Sequence, residues 1–282
     1  MLDDKRRVDV YRNALMDAVN GKVVADVGAG TGLLSILSAE AGALKVYAIE
    51  FAKIVKECRK AVSSKGLEKV VKVMNVRAEE APLMQNSVDV VVSEWMGYFL
   101  IFERMLPSVV AIRNKCLRRD GIMIPRRSKL FLAAFSREGS PESLLMQLED
   151  NKRTEQALIS FVQSKQLLSS KSEILDLDLM TVDESFSAFT SRFEFIISQD
   201  SAMSGIVGWF DVEMLPERWF STSPSEAPTH WEHTIFQLST ERPVSTGSVV
   251  KGGIRCKPID TDHRGLDIRI TLDGEEGNKE FV

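Results

Sequence analysis

Cysteine is scarce and odd in number: Cys58, Cys116 and Cys256 lie far apart and form no CxxC pair. That spacing suggests neither a zinc site nor a disulfide framework, and leaves inert thiols in a reducing compartment as the plain reading. An excess of one charge sign is also missing. Lys plus Arg number 36 against 40 for Asp plus Glu, a net charge of −4. Without a basic surplus there is no general attraction to polyphosphate, so nucleic acid is not expected as a direct partner. No apolar run approaches the ~20 residues that span a bilayer. The opening "MLDDKRRVDVYRNAL" is charged and lacks the apolar centre of a signal peptide. A soluble protein of the cytoplasm or nucleus, without a membrane partner, is the expectation.

What is present reads as two textures. Residues 1–123 alternate short apolar runs with helical patterns: "KVVADVG" (22–28), "KVYAIE" (45–50), "VVKVMNV" (70–76) and "SVDVVVSEW" (87–95) are strands of the buried parallel type. Between them, Ile54, Val55, Cys58, Ala61 and Val62 fall on one helical face, and Gly66 supplies a stop. Strands separated by helices imply a parallel sheet with right-handed crossovers. From about residue 124 to 282 the chain turns β-rich. Leu266, Ile268, Ile270 and Leu272 alternate with polar neighbours, as in a half-buried antiparallel strand. A second, mostly β domain is therefore expected, interrupted at 140–172 by a segment that reads as helical, either a packed insertion or a projecting arm.

The first turn is Gly28-Ala29-Gly30-Thr31-Gly32, followed by Leu33. A dinucleotide fingerprint wants glycine at position 33, so Leu33 argues against it. The pattern GxGxG, with Asp26 just before it, suits S-adenosylmethionine: turn amides meet the carboxylate and an acid answers the ammonium. Glu50 ends the second strand, where a carboxylate accepts both ribose hydroxyls, and Glu79 follows the third, in reach of the adenine. The competing reading is a generic glycine turn with solvated acids.

Glu94 stands at the carboxyl end of the fourth strand, where such folds place their sites. Glu103 follows nine residues later, past a turn that can fold it back. Two carboxylates there can ligate a metal, work as glycosidic acid and base, or clamp a cation. No histidine is near in sequence for a metal cluster, and the glycine turn argues against sugar hydrolysis. A guanidinium, with five donors in a planar fork, matches two carboxylates bidentately.

Four blocks carry a resemblance: "MLDDKRRVDVYRNAL", "VADVGAGTGLLSILSAEAGALKVYAIE", "SEWMGYFLIFERML" and "STSPSEAPTHWEHTIF". In this order, from residue 1 to about 236, they resemble the protein arginine methyltransferase family. The resemblance implies a Rossmann-like S-adenosylmethionine-dependent methyltransferase domain (1–123) followed by a β-barrel substrate domain (124–282) carrying a helical dimerisation arm. It implies that Glu94 and Glu103 hold the substrate arginine. His230 would pair with Asp4, either relaying a proton or tying the barrel to the cofactor domain. Arg7 would meet the cofactor carboxylate, although by itself it reads as a solvated arginine. Met1 and Met105 match methionines that flank the acceptor arginine in enzymes making asymmetric dimethylarginine; both also read as core filler. Trp231 is implied in the substrate pocket, and Pro125 as a cis-proline between the domains. His230 and His233 spell HxxH, but a strand turns them to opposite faces, against a metal site.

Two departures stand out. The family has a helix with a YFxxY-like motif before the position of Met1, closing over the cofactor, and the arm here looks short, without a Tyr-Gly-rich centre. A homodimer through 140–172 and substrates with Gly/Arg-rich segments or histone tails remain the expectation. The alternatives are a catalytically silent regulatory or scaffolding subunit, a small-molecule methyltransferase and, weakest, an NAD-dependent dehydrogenase.

Overall fold

The apolar runs of the first half pair edge to edge. The computed structural model describes residues 4–151, 156–273 and 279–281. Helix α1 (Lys5–Ala18) precedes β1 (Val23–Val27), α2 (Leu33–Glu40), β2 (Lys45–Ile49), α3 (Val55–Ser64), β3 (Val71–Met74), β4 (Val88–Val92), α4 (Leu106–Cys116) and β5 (Leu117–Ile124). The sheet order is β3-β2-β1-β4-β5, all parallel. Val24, Ala25, Val46, Ala48, Val90, Val91 and Val92 are all but inaccessible, as strands covered on both faces require. The order reverses between β1 and β4. Ligand crevices open at such a switch point, beyond the carboxyl ends of the strands.

After a cis Ile124–Pro125 peptide the pairing turns antiparallel. The remaining elements are β6 (Arg127–Phe135), α5 (Glu142–Asn151), β7 (Leu158–Ser160), β8 (Ser172–Asp178), β9 (Phe189–Ile196), β10 (Ser201–Leu215), β11 (Arg218–Ser221), β12 (His233–Val244), β13 (Val249–Ile259), β14 (Asp262–Leu272) and β15 (Lys279–Phe281). One sheet runs β7-β12-β10-β6-β8, with β11 beside β10, and a second runs β15-β14-β13-β9. The strict alternation in β14 faces Leu266, Ile268, Ile270 and Leu272 into the core. One continuous apolar cluster joins these strands to the parallel sheet.

The segment 140–172 is less helical than its composition suggests. Among its described residues only Glu142–Asn151 is α-helix, and it packs inward through Leu144 and Leu148 on Phe131, Trp209 and Ile235. Leu158–Ser160 instead pairs with His233–Ile235 at the open edge of the sheet. Satisfying backbone groups on a free edge outweighs local helix propensity there.

Candidate active site

The first turn forms one wall of a cavity of about 590 Å3 that Arg7, Tyr11, Ile54 and Glu94 also line. Gly28 has φ of +73°, and a Cβ built on it would lie 2.5 Å from the terminal methyl of Met105. Both facts call for glycine: the backbone is left-handed and the space beside it is taken. Gly32 caps α2 without a side-chain partner for the helix's first amides. Those amides and Arg7 together suit a carboxylate.

The acids behave differently from one another. Glu50 is fixed at both oxygens, Oε2 accepting from the Gly30 amide at 2.9 Å and Oε1 from the Ala52 amide at 2.7 Å. It ties the glycine turn to β2 and keeps one acceptor site on each oxygen. Asp26 lies beneath the turn, 1% exposed, rather than on the cavity wall. Its Oδ2 accepts from Ser35 Oγ at 2.6 Å, and its buried Oδ1 has no protein partner. Burial pushes its carboxyl up to about 7, against the pull of Ser35. Its negative form is best supported when a cation lies above the turn, which fits the ammonium of S-adenosylmethionine acting through the loop. Glu79 is exposed and accepts from Ser108 Oγ at 2.5 Å, which holds it against α4.

Glu94 emerges from β4 with its side chain 13% exposed, and its Oε2 accepts from Arg7 Nη1 at 2.9 Å. Burial pushes its carboxyl up to about 7; Arg7 pulls it down and the charge of Glu103 pushes it up. Arg7 thus both lines the cavity and holds Glu94. The turn that brings Glu103 back places Phe99, Leu100, Glu103 and Arg104 at positive φ. Gly97 lies so close to Phe102 that an added Cβ would sit 2.1 Å from its carbonyl oxygen. Glu103 is half exposed. Its amide donates to the Arg264 carbonyl at 3.3 Å, and its Oε1 lies 3.7 Å from Arg264 Nη1.

Beneath that turn, Trp231 donates from Nε1 to the Met96 carbonyl at 2.8 Å and meets Phe210 edge-on. Only 4% of it is exposed, so it props the loop from below and offers no open face to a substrate. Met105 ends the loop with its methyl over Gly28; Met1 lies outside the described residues. Asp4 accepts from the Arg7 amide at 3.0 Å, capping α1, and from the His230 amide and Nδ1 at 3.1 and 3.0 Å. Burial disfavours the Asp4 charge, yet these hydrogen bonds hold its carboxyl below the usual range. Burial lowers His230 in spite of Asp4, so the ring is neutral near pH 7 and carries its proton on Nδ1. His233 faces the other way, into the core. It accepts at Nδ1 from the Val162 amide and donates from Nε2 to the Thr222 carbonyl.

Sequence reading missed Tyr11, Ser35 and Ser93. Tyr11 is buried and donates to the Ser93 carbonyl at 2.9 Å, while Ser93 Oγ donates to the Val27 carbonyl at 2.7 Å. The signal was available in α1: Asp4, Arg7 and Tyr11 recur at intervals of three and four, one helical face.

The comparisons follow the same division of the chain. Residues 25–124 match the methyltransferase domain family, and residues 141–277 match the arginine methyltransferase oligomerization subdomain. Protein arginine N-methyltransferase 1 of Schizosaccharomyces pombe is 34% identical, over 100% of this chain and 88% of that protein. Its namesake in Chlamydomonas reinhardtii is 32% identical over 98% and 86%. A chain of the Trypanosoma brucei PRMT1 enzyme-prozyme heterotetrameric complex with AdoHcy has a TM-score of 0.89 at 27% identity, covering 100% of this chain and 96% of that one. Arabidopsis thaliana protein arginine methyltransferase 10, in a structure described as uniquely open, also reaches 0.89, at 28% identity over 100% and 95%. Likeness over the whole length, together with a glycine turn and an arginine-held glutamate lining one cavity, places this chain in the protein arginine N-methyltransferase family.

Proposed function

We propose that this protein methylates the guanidinium of arginine in protein substrates, using S-adenosylmethionine. Residues 1–123 form the cofactor-binding part and residues 124–282 the part that receives the substrate. The observation that carries the reading is Glu94: a largely enclosed carboxylate at the cavity wall, held at Oε2 by Arg7. The bound cofactor supplies an electrophilic methyl group on a sulfonium. The α2 amides and Arg7 hold its carboxylate, Asp26 supports its ammonium and Glu50 offers its remaining acceptor sites to the ribose; Glu79 is available at the adenine end.

Glu94 and Glu103 clamp the substrate guanidinium. The largely enclosed Glu94 and the half-exposed Glu103 draw positive charge toward themselves and leave electron density on the outward nitrogen. Most of the acceleration then comes from aim and electrostatics. A free guanidinium loses its proton only above ~12, so the proton leaves during or after transfer. The neutral His230, oriented by Asp4, is the acceptor available on this side, and the same pair ties α1 to the barrel.

The product is monomethyl and asymmetric dimethylarginine. Met105, whose methyl rests over Gly28, narrows the space to one nitrogen. The protein acts as a homodimer through 140–172, a reading supported by the exposure of Leu145 and Met146 on α5 (37% and 62%). Its substrates carry Gly/Arg-rich segments or histone tails, in the cytoplasm or nucleus. Mass spectrometry of a Gly/Arg-rich peptide incubated with cofactor tests this: mono- and asymmetric products are expected, and symmetric or absent methylation overturns it.

A second reading gives the chain a regulatory place beside an active relative. It draws on the enzyme-prozyme relative, and on Glu103 lying beside a resident cation, Arg264. Activation of a second subunit by a chain that is itself silent would support it.

A further inference from the structure

A second cavity, about 460 Å3, lies where the turn between Glu94 and Glu103 meets the barrel. Tyr98, Phe99 and Phe102 form one wall, and Ile159 of β7 with Leu266 and Ile268 of β14 form the other. Its floor is sealed, with Phe99, Leu266 and Ile268 each at most 5% exposed. Its mouth is open: Tyr98 is 41% exposed and tilted 46° to Phe102, their ring centroids 6.2 Å apart. The carboxylate at this opening is Asp262.

We infer that this cavity is a subsite for an apolar side chain of the substrate polypeptide, aromatic or branched aliphatic, one or two residues from the target arginine. The inference rests on the proposed reading of Glu94 and Glu103 as the guanidinium clamp. Continuity carries it. Phe102, in the wall, immediately precedes Glu103, so their Cα atoms are about 3.8 Å apart. A polypeptide that presents a guanidinium to Glu103 drags its neighbouring residues past this opening, since one extended residue spans up to about 3.6 Å. Charge points the same way. Asp262 lines the cavity, and Glu103 follows Phe102 of its wall with Arg264 3.7 Å away, so the carboxylate beside the apolar floor suits a basic chain carrying one apolar anchor. An enclosed apolar floor of this size beside a reacting group is the kind of site that sets sequence preference.

The test uses the full chain, S-adenosylmethionine and a set of peptides. Each peptide has one arginine in a glycine background, with a single phenylalanine at one of the two positions before or after it. One placement is expected to raise kcat/KM about ten-fold over the all-glycine peptide, the effect of burying one such side chain in the transition state. Ala157→Phe, which fills the cavity, and Ile159→Asn, which makes its wall polar, are each expected to return that ratio to near unity. Two independent substitutions guard against one that fails to fold. Equal rates for every placement, with the all-glycine peptide still methylated, overturn the subsite and leave the clamp standing. No methylation of any peptide overturns both. A shift from dimer to monomer in sedimentation on Ala157→Phe assigns the cavity to a second copy of the chain and overturns the inference.

Discussion

Glu94 sits between opposing neighbours, so the pH at which it ionises should report each of them with a known sign. Its carboxyl is raised to about 7, chiefly by burial, with Arg7 lowering it and Glu103 raising it. Arg7 Nη1 is 2.9 Å from Glu94 Oε2, and both side chains are largely enclosed, at 6% and 13% exposure. Unit charges about 4 Å apart in an effective dielectric near 20 attract by about 4 kcal/mol. At about 1.36 kcal/mol per pH unit, that is up to about three units, and solvent relaxation brings the expectation to one to three. Only ionised Glu94 binds a guanidinium, so kcat/KM for a peptide should rise with pH through about 7. Arg7→Gln removes the stabilising cation and should move that inflection upward by about one to three units. Glu103→Gln removes the like charge and should move it downward. Glu94→Gln should abolish the inflection and lower the plateau by roughly 100- to 1000-fold. Initial rates of methyl transfer from about pH 5 to about pH 10, at saturating cofactor, read the position of the inflection independently of its height. An inflection that stays put in both single variants, or moves the same way in both, refutes the assignment of that ionisation to Glu94.

Three other perturbations follow from contacts described above. Gly97→Ala places a methyl 2.1 Å from the Phe102 carbonyl oxygen; the turn must open, and steady-state assays should find kcat/KM down by about 100-fold through lost alignment. Asp4→Ala removes the α1 cap and both bonds to His230; a loss of about 1–3 kcal/mol is expected from denaturant unfolding, and full stability with lost activity would favour the relay role alone. His233 has its folded value lowered to about 4 from 6.5. The unfolded chain therefore takes up the proton first, so stability falls as pH drops from 6.5 toward 4. His233→Gln should flatten that part of a stability–pH curve measured by urea unfolding.

Much of this arrangement was legible beforehand because it rests on local rules. Buried parallel strands announce themselves as unbroken apolar runs, and β14 by alternation. The sites of Glu94 and Glu50 follow from their positions at strand ends, and Leu33 separates one kind of glycine turn from another. Less legible were features set by partners elsewhere in the chain. Asp26 lies under the turn, where Ser35, nine residues on, donates to it. Arg7 lines the cavity as the sequence placed it, but its ion pair with Glu94, 87 residues away, was not legible. Trp231 is held beneath the turn by its indole nitrogen donating to the Met96 carbonyl, 135 residues away. At Leu158–Ser160, an open sheet edge decided a conformation that composition alone assigned to helix.

Helix α1 is a latch with two sides. Arg6 reaches the carbonyls of Ser221 and Ala227 and the carboxylate of Glu226, Asp17 pairs with Arg218, and Asp4 grips His230. From the same helix, Arg7 and Tyr11 furnish part of the wall around the cofactor cavity. Filling that cavity and fastening the two halves of the molecule are thus one equilibrium seen from two ends, and by reciprocity each must strengthen the other. Ligand saturation should therefore slow proteolytic nicking between α1 and β1, and severing the helix's grip on the β strands should weaken cofactor retention.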